Sequence, residues 1–385
     1  MKKTFRIITA TALILLGAHT VMAQQEHYTN EKSLAERVGL IEQKQDRFNL
    51  YLNSNMSADF LFNNDGFDHG NFNGRQLRIE ARGNVTDWLS FRWRQRINRG
   101  NSGNGHIDNL PTSIDIAGIG LQMSDRWSLF LGKQCAAYGG IEFDLNPIEI
   151  YEYSNMIEYM SNFLTGVNIA YQVAPGQQLQ FQILNGRNGA FEDTYSQLDG
   201  IREVKLPWVY TFNWNGTIAP FWSTRWSYSI MNQAKDDNRS YNMHYFALGN
   251  QFNFGKFGGF FDAMYSNEGL NRKFIIDSSK NVEYLSLVLK MNYRIDPNWN
   301  VFLKGMYETA GAANSEDDNK STFFKYDTQM TSYGYFAGLE YYPFQDDGLH
   351  FFLTYVGRTH DINGLDKNVN THRLSLGFIY QLPLF

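Results

Sequence analysis

Large apolar side chains recur at every second position through most of this chain after residue 56, and this alternation constrains the fold more than any other feature. In the segment 88–97, Leu89, Phe91 and Trp93 alternate with serine and arginine. Successive side chains of a β-strand point to opposite faces, so such a segment has one apolar and one polar face. The pattern returns at 77–82, 178–183, 208–214, 222–230, 349–355 and 374–380. The chain is therefore predicted to be all-β.

The apolar faces are rich in aromatic residues, which favours a barrel in a membrane over a sandwich in water. Aromatic residues make up 16% of the chain. After the first 23 residues, no apolar run reaches the roughly 20 residues that a membrane helix needs. A closed barrel with apolar-out and polar-in alternation also crosses a bilayer. A two-sheet sandwich shows similar alternation, but it needs neither bulky outward aromatics nor a polar interior.

Short and long connections alternate along the chain, and this regularity predicts the number of strands. Short links rich in Gly, Pro, Asp and Asn have the composition of tight turns. They lie at 86–87, 124–126, 174–177, 216–220, 255–257, 295–298 and 343–347. Longer polar stretches lie near 63–73, 98–112, 134–163, 185–206, 232–240, 267–281, 309–329 and 359–369. The arrangement predicts a transmembrane antiparallel barrel of about 16 strands, with short periplasmic turns and long outer loops.

The first 49 residues differ from the barrel segment, which is predicted at 50–385. Residues 1–23 have a basic start, an apolar core and a small residue before Gln24, which predicts a signal peptide. An uncleaved anchor is the alternative interpretation. Residues 24–49 space their apolar residues as a helix does, which predicts a short periplasmic helix. That helix would either hold subunits together below the barrel or dock against the barrel itself.

Charge and residue content narrow the classes of function. The chain has 34 basic and 39 acidic residues, and the signal holds three of the basic ones and no acid. The exported chain is therefore acidic, which argues against a nucleic-acid partner. Cys135 is the only cysteine, so no internal disulfide forms. No cofactor, metal or catalytic residue is predicted, because the histidines lack metal-ligand spacing and no Ser/His/acid set stands out.

Three motifs make the chain similar to the phosphate-selective porin O and P family, in the form found among Bacteroidetes. They are Arg92-Trp93-Arg94-Gln95-Arg96, Trp127-Ser128-Leu129-Phe130-Leu131-Gly132-Lys133-Gln134 and Gly139-Gly140-Ile141-Glu142-Phe143. The resemblance covers about residues 50 to 385. It implies a homotrimer of 16-stranded barrels in the bacterial outer membrane that conducts small solutes, among them anions such as phosphate.

Five arginines on two adjoining strands are the predicted pore-lining and anion-binding residues. They are Arg78, Arg82, Arg92, Arg94 and Arg96. Those on one strand are spaced about 6–7 Å apart on its polar face, because alternate residues share a face. Arginine keeps its charge and offers forked donors suited to phosphate, sulfate or carboxylate. A scaffolding role is the alternative, since Glu80 lies in the same row and could pair with them.

The third loop is the longest, and its acidic residues are the predicted constriction. In porins this loop folds into the lumen and forms the narrowest point, where charges set selectivity. The predicted constriction residues are Glu142, Asp144, Glu149 and Glu152. Acids facing the arginines would create a transverse field that favours polar solutes of either sign, which departs from a purely basic phosphate channel. Simple exposure to solvent is the alternative for these acids.

The predicted function is passive diffusion of small hydrophilic solutes through an outer-membrane porin, with anions such as phosphate as the favoured class. A non-conducting adhesin or binding barrel is the alternative, and a barrel enzyme such as a phospholipase or protease is a third. The expected partners are outer-membrane lipid, small hydrophilic or anionic solutes and further copies of the chain in a homotrimer.

Overall fold

The computed structural model describes residues 47–100, 107–196, 198–313, 326–344 and 348–384. The predicted signal peptide lies outside the described residues, and so does the predicted helical segment up to residue 46. Asn49, the last residue of that predicted helix, already belongs to the first strand. Among the described residues, no helix is both long and apolar enough to cross a membrane.

Strands make up most of the described chain, because the alternating segments pair side by side along their whole length. They are β1 Asn49–Asn63, β2 Gly66–Asn84, β3 Leu89–Arg96, β4 Ile114–Gln122, β5 Trp127–Cys135, β6 Phe163–Ala174, β7 Gln177–Asn185, β8 Arg202–Glu203, β9 Trp208–Ala219, β10 Trp222–Lys235, β11 Ser240–Phe254, β12 Phe257–Leu270, β13 Lys280–Arg294, β14 Trp299–Ala312, β15 Asp327–Tyr341, β16 His350–Ile362 and β17 Val369–Pro383. Short helices lie in loops: α1 Ile141–Asp144, α2 Asn155–Glu158, α3 Phe191–Tyr195 and a 3-10 turn Pro147–Glu149.

The long strands close into one antiparallel barrel. β1 pairs with β2 on one side and with β17 on the other, which joins the two ends of the sheet. The two-residue strand β8 pairs with the upper end of β10, so β7 pairs directly with β9. Sixteen strands therefore form the wall. The prediction of an all-β, antiparallel barrel of about 16 strands is confirmed.

Tight turns at one end of the barrel and longer loops at the other follow the predicted alternation, with one difference. Residues 63–73, predicted to be a loop, are mostly strand: β1 runs to Asn63 and β2 starts at Gly66. Gly66 adopts a φ of 108° in the turn, a conformation that glycine reaches without strain. Pairing with β1 supplies the hydrogen bonds of this Asn- and Gly-rich segment, so tertiary context overrides its weak strand propensity.

The wall is not of uniform height. β3 has 8 residues, and β4 and β5 have 9 each. By contrast, β11, β13 and β15 on the other side have 15 residues each. A tilted strand crosses the hydrocarbon core in about 9–11 residues, so β3 to β5 barely span it.

The outer surface is apolar, as a lipid-facing wall requires. Leu303, Phe351 and Leu376 are exposed on the outside, while their strand neighbours Phe302 and Phe352 are buried inside. Trp88, Trp127 and Trp299 stand exposed beside short turns, where an interfacial aromatic girdle is expected. The main buried apolar cluster lies inside the barrel, between its inner face and a loop described next.

Candidate functional site

The third loop, residues 136–162, lies inside the barrel. The carboxylate of Asp262, on β12, accepts hydrogen bonds from the backbone N–H groups of Ile141 and Glu142 at 2.8 and 2.7 Å. Further along the loop, the side-chain amide of Asn55 on β1 donates to the carbonyl of Ile148 at 2.8 Å. The loop therefore spans the lumen from β12 to β1.

Two glycines at the start of the loop allow a backbone-to-backbone contact with the wall. Gly139 and Gly140 adopt positive φ values of 77° and 85°, which residues with a Cβ rarely do. A Cβ added to Gly249, on the inner face of β11, would lie 2.7 Å from the Cα of Gly140. The loop and strand β11 are therefore packed too closely for a side chain between them.

Two aromatic rings of the wall, Phe302 and Phe352, hold the middle of the third loop, and we call this pair the aromatic seat. The ring of Tyr151 stacks on Phe302 of β14, with centroids 5.1 Å apart and planes 3° from parallel. It also meets the edge of Phe352 of β16 at 4.9 Å. The Tyr151 hydroxyl donates to Glu340 of β15 at 2.8 Å, so its polar end is satisfied as well.

Two of the predicted constriction acids are buried anchors. Glu142 accepts hydrogen bonds from the backbone N–H and the hydroxyl of Ser154 at 3.1 and 2.7 Å, and it pairs with Lys304 of β14. Asp144 pairs with Arg225 of β10, with the Nε to carboxylate oxygen distance at 3.0 Å. These carboxylates fasten the loop to the wall and are not exposed to the lumen.

The other two predicted acids are more accessible. Glu149 lies 3.7 Å from His350 at the edge of the 3-10 turn. Glu152 bridges two wall arginines, Arg358 and Arg373, at 2.9 Å each. Burial raises the pKa of Glu152, but Arg373 and Arg358 outweigh that effect and hold its pKa below the ordinary value.

Three of the five predicted arginines converge on one carboxylate that sequence reasoning missed. Asp115 of β4 lies 3.0 Å from Arg78, 3.3 Å from Arg94 and 2.9 Å from Arg96. The ring of Phe163 lies 5.1 Å from the Arg94 guanidinium carbon, within cation–π distance. Arg78 and Arg94 are buried, whereas Arg96 is partly exposed.

The remaining two predicted arginines lie lower on the same wall. Arg92 is buried and pairs with Glu80, its nitrogens 2.8 and 2.9 Å from one carboxylate oxygen. The Arg82 guanidinium lies 5.0 Å above the ring of Tyr51. The scaffolding alternative, in which Glu80 pairs with the arginine row, therefore describes Arg92.

An open cavity of about 790 Å³ lies between the third loop and the wall. The predicted residues that line it are Arg78, Arg96 and Glu152, whereas Arg82, Arg92, Arg94, Glu142, Asp144 and Glu149 do not. Seven basic side chains reach it: Arg75, Arg78, Arg96, Arg99, Lys133, Arg358 and Arg373. Three acidic side chains also line it: Asp115, Glu152 and Glu158.

Several of the basic side chains are partly neutralised by carboxylates behind the lining. Arg75 pairs with Asp59 at 2.7 Å. Lys133, whose place in the lumen its strand parity does not predict, pairs with Asp108 at 3.1 Å. Arg99 is different, because no described carboxylate lies within ion-pair distance of it. Arg358 also pairs with the buried Glu308 at 2.6 Å. Seven basic residues therefore stand against six carboxylates that line the cavity or pair with them, which leaves a small excess of positive charge.

Arg358 and Arg373 line the cavity but are not among the five predicted arginines. The alternation of β16 and β17 could have predicted that their side chains face the lumen. Leu353 and Tyr355 face outward on β16, and Leu374 faces outward on β17. Alternate residues share a face, so Arg358 and Arg373 must point inward. No such signal exists for Arg99, which lies in a loop.

Glu158, in helix α2 of the third loop, is the acid most exposed in the cavity. Burial and the nearby charge of Glu152 raise its pKa above the ordinary value, while Arg96, Arg358 and Arg99 oppose the shift. Its charge therefore changes at a higher pH than that of an ordinary glutamate.

Comparisons with known proteins agree with this geometry. A family model described as phosphate-selective porin O and P matches residues 48–382. Among curated proteins, no sequence matches this chain significantly.

Solved structures show the same fold. The outer membrane channel DcaP of Acinetobacter baumannii is 15% identical with a TM-score of 0.63, over 87% of this chain and 97% of that one. An anion-selective porin from Comamonas acidovorans is 9% identical with a TM-score of 0.57, over 87% and 99%. OmpT of Vibrio cholerae, solved in a trimer form, is 10% identical with a TM-score of 0.52, over 87% and 100%.

Proposed function

The chain belongs to the phosphate-selective porin O and P family, and on that premise we propose that it passes small hydrophilic solutes by passive diffusion with a preference for anions. As a porin of this family it is a channel of the bacterial outer membrane. We propose that it acts as a channel and not as an enzyme.

The observation that carries the anion preference is the charge of the cavity beside the third loop. Seven basic and three acidic side chains line it. The arginines offer forked N–H donors that fit carboxylates and oxyanions. Positive charge in a confined lumen raises the local concentration of anions and lowers that of cations.

Partial neutralisation keeps solute binding weak, which a channel needs. Arg358 and Arg373 share Glu152, and three arginines share Asp115. A solute anion must compete with these fixed carboxylates, so it enters readily and leaves readily. Conduction requires binding that is favourable enough to admit the solute and weak enough to release it.

The third loop sets the width of the passage in this proposal. Its anchors on Asp262, Lys304 and Arg225 hold it against the wall, so the cavity has a fixed shape. Arg78 and Arg96 serve as lining, Arg92 and Arg94 as scaffold, and Glu152 as the acid of the constriction.

Assembly and export complete the proposal. We propose a homotrimer in contact with outer-membrane lipid, in keeping with the trimer form of the Vibrio cholerae neighbour. We also propose that residues 1–23 direct export and are removed, and that residues 24–49 form a periplasmic segment before the barrel.

The test is the reversal potential of the refolded protein in a planar bilayer across a KCl gradient. Arg99→Gln is the informative variant, because it removes a lining charge and leaves no described carboxylate without its partner. Arg202→Gln is the matched control, since Arg202 is an exposed residue of the short strand β8 that pairs with Asp237 at 2.5 Å outside the cavity.

We expect an anion-selective reversal potential in the parent protein and in Arg202→Gln, with a clear shift toward zero in Arg99→Gln. Phosphate added during the same recording should reduce the chloride current if oxyanions enter the cavity. A large conductance without selectivity, unchanged by Arg99→Gln, would leave a general porin. Well-folded protein that forms no channel would contradict the porin function itself.

A further inference from the structure

The third loop carries acidic residues but no basic ones. Residues 136–162 include Glu142, Asp144, Glu149, Glu152 and Glu158, and they include neither lysine nor arginine. The first four of these acids lie beside basic side chains of the wall, as described above. Glu158 differs from them: it forms no ion pair with any residue that the structure describes, and it is exposed in the cavity.

Basic side chains of the wall share the cavity with Glu158. Arg96 ends strand β3, and Arg99 follows it in the next connection. Arg96, Arg358 and Arg99 lie near enough to oppose the rise in the pKa of Glu158. Within the described part of the chain, none of the three lies within ion-pair distance of it. The carboxylate and these guanidinium groups therefore line the same open space without neutralising each other by contact.

Two of these arginines have hydrogen-bond donors left for a solute. Arg96 donates to Asp115 through its Nε at 2.9 Å, and no described hydrogen bond uses its two terminal nitrogens. The ring of Phe163 lies 5.8 Å from its guanidinium carbon, within cation–π distance. Arg99 has no described carboxylate within ion-pair distance. Forked donors of this kind bind a carboxylate group.

The charges of the cavity are nearly balanced, but they are separated in space. The seven basic residues that line it all lie outside the third loop, whereas Glu152 and Glu158 belong to the loop. A solute with a single charge is attracted by one set of these groups and repelled by the other. A solute that carries both charges is attracted by both sets, because its charges complement those of the cavity.

We propose that the cavity takes zwitterionic solutes, which carry an ammonium and a carboxylate group, as amino acids and short peptides do. The carboxylate group binds Arg96 and Arg99, and the ammonium group binds Glu158. Glu158 is then the residue that separates zwitterions from simple anions, since it attracts the former and repels the latter. Each contact is solvent-accessible and weak, so the solute also leaves readily. This inference rests on the proposed channel function.

The experiment measures the uptake of matched solutes into liposomes that contain the refolded full chain. Diglycine is the zwitterion. N-acetylglycine is the anion that lacks its ammonium group, and glycylglycinamide is the cation that lacks its carboxylate. Erythritol is the uncharged solute that reports whether the channel is open.

The variants change one charge at a time. Glu158→Gln keeps the shape of the side chain and removes its charge. Glu192→Gln is the matched control, because Glu192 is an exposed glutamate of helix α3 that does not line the cavity. Arg99→Gln tests the opposite end of the site. A difference in gel migration between heated and unheated samples reports whether each barrel is folded.

We expect Glu158→Gln to slow diglycine uptake by about two- to fivefold, the size of an exposed ion pair. The same variant should speed N-acetylglycine uptake and leave erythritol uptake unchanged. Arg99→Gln should slow both diglycine and N-acetylglycine, and Glu192→Gln should match the parent with every solute.

Diglycine uptake that is unchanged or faster in folded Glu158→Gln would overturn the zwitterion proposal, because Glu158 would then only repel anions. A parent protein that takes up no erythritol would contradict the channel function itself. The parent's rates for N-acetylglycine and glycylglycinamide test the anion preference separately, since neither solute carries both charges.

Discussion

The inner wall of the barrel has two sectors that differ in chemistry. We call the inner faces of β2 to β9 the polar sector and those of β11 to β16 the apolar sector. Charged and amide side chains fill the polar sector: Gln180 donates to Gln178 at 2.6 Å, and Asn168 donates to Gln180 at 3.3 Å. The apolar sector carries Met243, Tyr245, Met264, Val288, Phe302, Met306, Phe336 and Phe352.

The third loop accounts for the difference. It packs its own apolar residues, among them Ile148, Tyr151 and Ile157, against the apolar sector. Asp262 and Lys304, two charged residues of that sector, bind the loop and are not free in the lumen. One side of the lumen is thus built like a protein core, and the other side is built like a polar cleft. The two sectors therefore require different tests.

The largest effect is expected from Asp262→Ala, which removes the carboxylate that binds the third loop to the apolar sector. The change leaves the N–H groups of Ile141 and Glu142 buried without an acceptor, at a cost of about 1–3 kcal/mol each. We expect the third loop to leave the wall and the single-channel conductance to rise with noisy openings. The measurement is single-channel recording of folded protein.

Asp262→Asn is the control for this change, because the amide keeps one acceptor oxygen for the loop. We expect a smaller rise in conductance than with alanine. If Asp262→Ala folds and conducts as the parent does, the loop does not depend on this anchor.

The next effect concerns the polar sector. Arg92→Met leaves Glu80 buried without its partner, and breaking a buried pair in this way costs about 3–5 kcal/mol. We expect a lower free energy of unfolding in a urea titration with an unchanged reversal potential, since Arg92 does not line the cavity. The double variant Glu80→Gln/Arg92→Met should recover most of the stability. A change in selectivity with normal stability would instead make Arg92 a pore residue.

A smaller effect is expected from pH, through Glu158, which the third loop contributes to the cavity. Its pKa is raised, so the carboxylate gains a proton earlier than an ordinary glutamate does as the pH falls. The cavity then loses negative charge, and anion selectivity should increase from pH 7 toward pH 5. The reversal potential at each pH measures this. In Glu158→Gln the selectivity should already be high at pH 7 and should change less, and an unaltered pH dependence would exclude Glu158 as its source.

The smallest effect is expected from Tyr151→Phe. The variant loses the hydrogen bond to Glu340 and keeps the ring stacked on Phe302, so stability should fall by about 1 kcal/mol. Conductance should stay at the parent level, because the aromatic seat still holds the loop. A large conductance change would show that the hydroxyl, and not the ring, positions the loop.

The fold was predictable because the outer face of the barrel obeys one rule. Lipid demands apolar side chains at every second position, so the alternation of the strands and the spacing of the turns survive in the sequence. The inner face obeys no such rule. Phe302 and Phe336 face inward because the third loop covers them, so aromatic content alone does not assign the inner face.

The candidate site was predictable only in part, since its contacts join distant segments. The arginine row stands on adjoining strands, so its position in the wall follows from local spacing. Glu142 pairs with Lys304, 162 residues further along the chain, and no local pattern connects them. Asp115 lies in a segment that alternates poorly, and its role depends on the strand register that brings it beside three arginines.

The position of the third loop across the seam between β1 and β17 has a consequence for biogenesis. The loop bonds to both sides of that seam: Asn55 of β1 donates to Ile148, and Arg373 of β17 donates to the carbonyl of Tyr151 at 2.8 Å. The two strands are the first and last of the barrel, so they meet when the newly made chain closes its cylinder. Since the loop bonds to both strands, we expect barrel closure and loop docking to occur as one cooperative step.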